Sequence, residues 1–375
     1  ETGKRNEMTL TNYWWLLIWL FTGGIVLALY FPKHREMVCG KMETRWGIVP
    51  AVLMAVPYIV WAGYRSDAFG DTAAYRESFK NAPSSLAEIG SYMNTVTKDK
   101  GFYWVSAVLK SIANTSDKGY FLLIAAFQIL IFVWLFRKYS SMYWMSFFLF
   151  IASTDYLSWV HNGMRQFMAV TIILLATPFM IRRKYIPAVL LILLASTMHQ
   201  SALLMLPFML IAQGKPWNKR TLLFLATTLL VIIYIGKFTT ILDNAMQETQ
   251  YANMVSDWTS WQDDGTSPMR VLVYSIPAIL SFIGLKFIQR ENNPVINFCT
   301  NMSIISAGVY LVSMVTSGIF IGRLPIYASL YGYILLPWEI EHIFMKKSSR
   351  MILVTAVMAY CMFFYYQMHY VWGLM

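Results

Sequence analysis

Residues 120–138 read YFLLIAAFQILIFVWLFRK, with no charge from Tyr120 to Phe136 and then Arg137-Lys138. A helix crossing a bilayer needs about 20 predominantly apolar residues, fewer where the bilayer thins. A helix satisfies its own N–H and C=O groups within one segment, so the run is read as helical. Similar runs recur at approximately 11–31, 46–63, 119–136, 141–154, 163–181, 185–198, 201–213, 221–236, 271–288, 295–316, 324–339 and 351–370. The pattern predicts an all-α polytopic membrane protein with about twelve transmembrane helices, a single integral membrane domain over residues 1–375.

Composition points the same way. Apolar residues make up 57% of the chain and charged residues 13%, and mean hydropathy is +0.50. Soluble domains carry about a quarter charged residues. The formal charge of +11 sits in short clusters between apolar runs and forms no continuous basic face. That distribution suits membrane topology and argues against nucleic acid. Cys39, Cys299 and Cys361 are scattered, without the spacing of a disulfide framework or a metal site. The chain opens on Glu1 with Met8 as a candidate initiator, so residues 1–7 are expected to be an added remnant. The first apolar run has spanning length and lacks a small-residue cleavage site, so no signal peptide is expected.

Basic clusters orient the spans. Lys33/Arg35/Lys41/Arg45, Arg137-Lys138, Arg182-Arg183-Lys184, Lys215/Lys219/Arg220, Lys286/Arg290 and Lys346-Lys347/Arg350 share one side if the spans alternate. The positive-inside rule makes that side cytoplasmic. The outer side then receives two long loops, 64–118 and 237–270, the second carrying Asp243, Glu248, Asp257, Asp263 and Asp264. Residues 185–213 read either as one long tilted helix or as two short helices turning outside at His199-Gln200-Ser201, and the basic residues after 213 favour the turn. Gly101–Lys110 in the first outer loop suits a helix lying in the membrane interface, or equally a packed loop helix. Tyr103, Trp104, Trp258 and Trp261 are candidates for stacking on sugar faces, although belt or core positions account for most aromatics.

Four constellations carry charge where a bilayer resists it. Arg65-Ser-Asp67-Ala-Phe-Gly-Asp71-Thr-Ala-Ala-Tyr75 begins where the second span emerges. Its carboxylates, four residues apart, share a face if the stretch is helical, and one could serve as general base toward a hydroxyl. Arg65 could hold a carboxylate or bind phosphate bidentately. The plain alternative is a solvated loop start with an N-cap aspartate. In His161-Asn162-Gly-Met-Arg165-Gln166, Arg165 enters just ahead of an apolar run, either to snorkel or to face a polar cavity where helix N-terminal amides assist. His199-Gln200-Ser201 interrupts an apolar stretch, as a proton acceptor or as a histidine bonded to a neighbouring carbonyl. Arg323 lies between Gly322 and Pro325, suited to an anion or to snorkelling. All four fall near the outer boundary, and the expectation is that they gather in one polar pocket there.

The Arg-Ser-Asp-x-x-x-Gly-Asp-x-x-x-Tyr string (65–75), Asn162-Gly-x-Arg165-Gln166 and His199-Gln200-Ser201-Ala202 resemble the EpsG family over roughly residues 11–345. That family comprises membrane polymerases of bacterial exopolysaccharide and capsule, akin to Wzy-type O-antigen polymerases. The resemblance implies a GT-C-like glycosyltransferase with an outer-face cavity in the bacterial inner membrane. It would join undecaprenyl-diphosphate-linked repeat units with inversion at the anomeric carbon, without cofactor or metal, beside a flippase and a chain-length regulator. Asp67, Asp71 or His199 would be the base. Arg165, Arg323 and Arg65 would bind diphosphate, and Tyr75, Asn162, Gln166, Gln200 and Ser201 would be further substrate contacts. The rival readings are a lipid-linked oligosaccharide flippase, a membrane O-acyltransferase of envelope sugars and a scaffold protein. No pseudo-symmetric halves support the flippase, and the outer position of His199 weakens the acyltransferase.

Overall fold

A computed structural model describes residues 11–38, 41–67, 70–113, 115–246 and 265–375. In chain order the helices are α1 (Thr11–Tyr30), α2 (Ile48–Gly63), α3 (Thr72–Asn81), α4 (Ile89–Thr95), α5 (Lys100–Ala113), α6 (Asp117–Tyr139), α7 (Tyr143–Ala152), α8 (Met164–Ile181), α9 (Tyr185–Met198), α10 (Met205–Ile211), α11 (Lys219–Ile233), α12 (Ile235–Met246), α13 (Pro268–Ile283), α14 (Leu285–Glu291), α15 (Pro294–Met314), α16 (Ile326–Ser329), α17 (Gly332–Ile343) and α18 (Lys346–Tyr366). Strands β1 (His34–Val38) and β2 (Lys41–Arg45) pair antiparallel, a small exception to the helical expectation among the described residues. Five helices are long and apolar enough to cross a membrane, or seven if two bent pairs each count as one span. Four shorter apolar helices accompany them. The chain divides into two compact units, residues 1–94 with 103–167 and 344–375, and residues 95–102 with 168–343.

The first unit is built on aromatic packing between α1, α2, α6 and α7. A buried Tyr or Trp must place its polar end on a partner, because an unpaired donor in an apolar interior is costly. Several such residues here reach a backbone carbonyl of a neighbouring segment. Trp19 Nε1 donates to Met54 O at 2.9 Å, Tyr143 Oη to Ala51 O at 2.8 Å and Trp144 Nε1 to Leu20 O at 2.7 Å. Tyr156 Oη donates to Tyr58 O at 2.6 Å, next to Pro57, which lacks the N–H that would continue the α2 ladder. At one end of α6, Arg137 pairs with Glu36 of the hairpin at 2.7 Å and donates to Trp46 O at 3.4 Å. The basic clusters at 33–45 and 137–138 therefore share one end of this unit, as alternation of the spans requires.

The segment 64–118, expected as an outer loop, is mostly structured among its described residues. Lys110 Nζ of α5 donates to Lys80 O and Ala82 O at 2.6 and 2.5 Å, and Ser106 bonds Tyr120 at 3.0 Å. Ala107 is buried against Ala82 and Ile89. Over this stretch α5 is a packed loop helix, with Trp104 and Ile112 on its exposed side.

In the second unit α15 is the axis, 89% of its apolar window buried. Small and polar residues allow close approach where lipid provides no hydrophobic driving force between helices. A Cβ on Gly308 would come within 2.5 Å of the Phe224 ring. The segment 185–211 turns back on itself. His199 is extended (φ −160°), a 3₁₀ turn follows over Gln200–Leu204, and Gln213 Nε2 reaches Met180 O at 3.1 Å, beside the point where α9 began. The hairpin alternative is the observed one. It brings the loops at 182–184 and 212–218 to one end of the unit. The segment 237–270 starts within helix α12, bent 100° from α11, and residues 247–264, with Trp258 and Trp261, lie outside the described residues.

Asn301 anchors the basic end. Its Nδ2 donates to Ala212 O and Lys215 O at 3.0 and 3.2 Å, and its Oδ1 accepts from Trp217 N at 3.3 Å. Replacing Asn301 by Ala leaves these groups without partners and is expected to cost about 2–4 kcal/mol. A clear fall in thermal unfolding temperature in detergent checks this, and an unchanged value refutes it.

Candidate functional site

The end of α2 and the start of α8 meet in the first unit, and hydrogen bonds join their motifs. Arg65, 5% exposed, donates from Nη1 to Val160 O and from Nε to Ala62 O, both at 2.6 Å, and its guanidinium lies 4.5 Å from the Phe121 ring centre. Asn162 Oδ1 accepts from Asp71 N at 3.0 Å. The buried Tyr75 hydroxyl is hydrogen-bonded to Arg165. The π-helical turn Tyr156–Asn162 supplies two of these contacts by presenting the Val160 carbonyl and the Asn162 side chain off the regular ladder. Gly70 makes the close approach possible. Its φ is +52°, and a Cβ there would come within 2.6 Å of Asn162 Oδ1.

The acids of this cluster are not equivalent. Arg76 of α3 pairs with Asp67 at 2.6 Å, contacts Asp117 at the head of α6 and donates to Arg65 O at 3.2 Å. Asp67 is thereby committed, whereas Asp71 sits exposed at the N-terminal boundary of α3 without a capping hydrogen bond. Burial pulls the Arg65 guanidinium down to about 10, opposed by Tyr156, Tyr120 and Tyr75, so it stays cationic at neutral pH. Burial also pushes the Tyr75 hydroxyl up, against the pull of Arg165, so the phenol is neutral and able to donate. Gln166 is buried beside Arg165, which is half-buried. Helix α6 has 23 residues, about 34 Å at 1.5 Å per residue. Asp117 at one end touches this cluster and Arg137 at the other holds the basic hairpin, so the two lie a membrane thickness apart.

The second unit carries the remaining four positions. His199 Nδ1 and Ser201 Oγ are 2.6 Å apart, and Ser201 Oγ and Tyr327 Oη 2.9 Å apart, forming a three-member polar chain. Ser201 and Gln200 edge an apolar cavity of about 620 Å³. Its walls include Pro207, Phe224, Leu242, Met246, Val312 and Phe320. Phe238, Leu242, Ala245 and Met246 fall on one face of α12 at helical spacing, which turns that helix toward the cavity. Arg323 is exposed and directly precedes Leu324, another wall residue.

Seven of the eleven sequence-predicted residues (65, 67, 71, 75, 162, 165, 166) thus assemble in the first unit, and His199, Gln200, Ser201 and Arg323 belong to the second. Sequence reasoning missed Arg76, Asp117 and Tyr327. Arg76 directly follows the quoted motif, and Asp117 is an acid in the first turn of a spanning helix, a recognisable signal. Nothing near Tyr327 in sequence announces its partner. Among the described residues no cluster of His, Cys, Asp or Glu could hold a metal ion.

The model of the EpsG family matches residues 48–373, a stretch that contains both motif pairs and the polar chain. The chain belongs to the EpsG family. EpsG-like proteins are Wzy-type polymerases of polysaccharide biosynthesis, and the apolar helices agree with a membrane polymerase. No curated protein and no solved structure matches the chain at a significant level.

In this EpsG family member Gly70→Ala is expected to cost about 1–2 kcal/mol from the left-handed backbone alone, with the Asn162 clash added. Thermal unfolding should show a smaller penalty in an Asn162→Ala background, where the two closest contacts, to Oδ1 and Cγ, are gone and the backbone strain persists. Equal penalties in the two backgrounds would mean that Gly70 does not dock on Asn162.

Proposed function

We propose that the protein joins oligosaccharide repeat units carried on undecaprenyl diphosphate, on the extracytoplasmic face of the bacterial inner membrane, with GT-C-like architecture. The observation that carries this reading is the convergence of Asp71, Tyr75 and Arg165 on Asn162 and its helix start, at the end of α6 opposite the basic hairpin. An exposed carboxylate and a held arginine, each close enough to Tyr75 to act on its hydroxyl, suit transfer of a sugar from a diphosphate leaving group.

In the proposed step Asp71 accepts the proton of the acceptor hydroxyl as that oxygen attacks the anomeric carbon. The anomeric C–O bond to diphosphate breaks, undecaprenyl diphosphate departs, and configuration inverts. Arg165 stabilises the negative charge growing on the leaving group, an electrostatic contribution that is large when donors are preorganised. Asp67 and Arg65 position this group through Arg76 and Val160. In the second unit the apolar cavity suits an isoprenoid chain, and Arg323 and the Ser201–His199–Tyr327 chain suit a polar head beside it. A flippase and a chain-length regulator would be functional partners, and no nucleotide sugar, cofactor or metal is required.

With a purified, defined lipid-linked repeat unit, Asp71→Asn is expected to lower kcat by about 10²-fold or more. Arg165→Gln should lower it by about 10²–10³-fold. Full activity in Asp71→Asn, Asp67→Asn and His199→Ala alike would eliminate the base. Leu242→Trp, which fills the cavity, should raise KM for long-prenyl donors with kcat little changed. In a deletion strain single repeat units should accumulate on the outer-facing lipid. Units trapped inside would indicate a flippase instead, and surface glycan of normal length an acyltransferase.

A further inference from the structure

At the basic end of the second unit, opposite the apolar cavity along α15, three loops enclose a cleft of about 430 Å³. Arg183 comes from the turn after α8, Gln213 and Lys215 from the turn after α10, and Asn292 and Asn297 from the start of α15. No carboxylate lines it among the described residues, so the two cations set its potential.

Its walls also hold two buried amide side chains, one with a buried, unpartnered acceptor. Gln213, 7% exposed, spends both Nε2 hydrogens on Met180 O and Met209 O at 3.1 and 3.2 Å, which leaves Oε1 as its remaining polar atom. Asn297, 8% exposed, donates from Nδ2 to Asn292 Oδ1 at 3.1 Å, and its own Oδ1 is buried without a partner. Buried acceptors are ordinarily satisfied, so the unpartnered Asn297 Oδ1 beside a cleft, with the Gln213 Oε1 near it, asks for a ligand that brings donors. A bare anion satisfies the cations and leaves the amides wanting. A phosphate that also carries hydroxyls satisfies both.

We propose that this cleft binds the phosphate of a polyol, the chemistry shared by glycerol-phosphate lipid headgroups and by free sugar or glycerol phosphates. Arg183 and Lys215 hold the phosphate, and Gln213 and Asn297 accept from the polyol hydroxyls. The positive-inside pattern assigns this end to the cytoplasm, so the site stands apart from the polymerising chemistry and does not depend on that reading.

The test uses the full chain in detergent, with affinity read by native mass spectrometry and by thermal shift. The probes are short-chain phosphatidylglycerol, short-chain phosphatidylcholine, glycerol 1-phosphate and inorganic phosphate. Phosphatidylglycerol is expected to bind in preference to phosphatidylcholine, whose headgroup has no hydroxyl. The exposed double variant Arg183→Gln/Lys215→Gln should weaken binding about tenfold or more. Asn297→Leu should retain phosphate affinity and lose the preference for glycerol over choline. Binding of glycerol 1-phosphate identifies a soluble ligand, and binding of the lipid alone identifies a headgroup; both support the site. Equal binding of the two lipids, an undiminished affinity in the double variant, or inorganic phosphate binding as tightly as glycerol 1-phosphate overturns it.

Discussion

A polar group removed from water into hydrocarbon must find a partner or the segment does not stay there. Arg65 shows how far this constraint reaches. It leaves α2 among apolar neighbours, and its donors close on the carbonyls of Ala62 and Val160 while Phe121 covers its face. Those bonds tie the exit of one helix to the irregular turn that starts another. Tyr75 and Asp71 then fall into place on Arg165 and Asn162. The same requirement sends Trp19, Tyr143, Trp144 and Tyr156 of the first unit to backbone carbonyls of neighbouring segments, so these tertiary contacts are made by polar groups with no water to bond.

Charge in the first unit is sorted rather than merely neutralised. Arg76 takes up Asp67 and Asp117, and the Asp71 carboxylate and the Arg165 guanidinium stand outside that pairing. A carboxylate tied into an ion pair is a poor proton acceptor, because accepting the proton sacrifices the pair. The aspartates of one short motif therefore separate into an ion-paired carboxylate and an exposed one. In the second unit the division is between polar edge and apolar wall: His199, Ser201 and Tyr327 pass a hydrogen-bonded chain along the rim of a cavity with hydrocarbon-like walls.

Much of the fold was legible because hydrocarbon imposes a length and a composition on any crossing segment. The runs at 119–136, 163–181 and 295–316 correspond closely to α6, α8 and α15. Others are shorter or broken: the 141–154 run holds only the ten-residue α7, and α11 with α12 bends by 100°. Hydropathy averages over a window and is blind to the direction in which a helix leaves the bilayer, so α12 read as loop. The helical packing of the first outer loop was likewise invisible, because it depends on Lys110 and Ser106 finding partners far off in sequence.

The sequence by itself determined that this is a helical membrane protein, which residues bear charge at membrane depth, and that their order resembles one polymerase family. Those features are local, set by side-chain transfer energies and by short motifs. Only the tertiary structure decided that Asp67 is paired and Asp71 is not, that Gly70 must be glycine to meet Asn162, and that Tyr327 completes the chain begun at His199. The Asp67 pair spans nine residues and the other two contacts more than 90, and each is set by distance in space that no local pattern encodes.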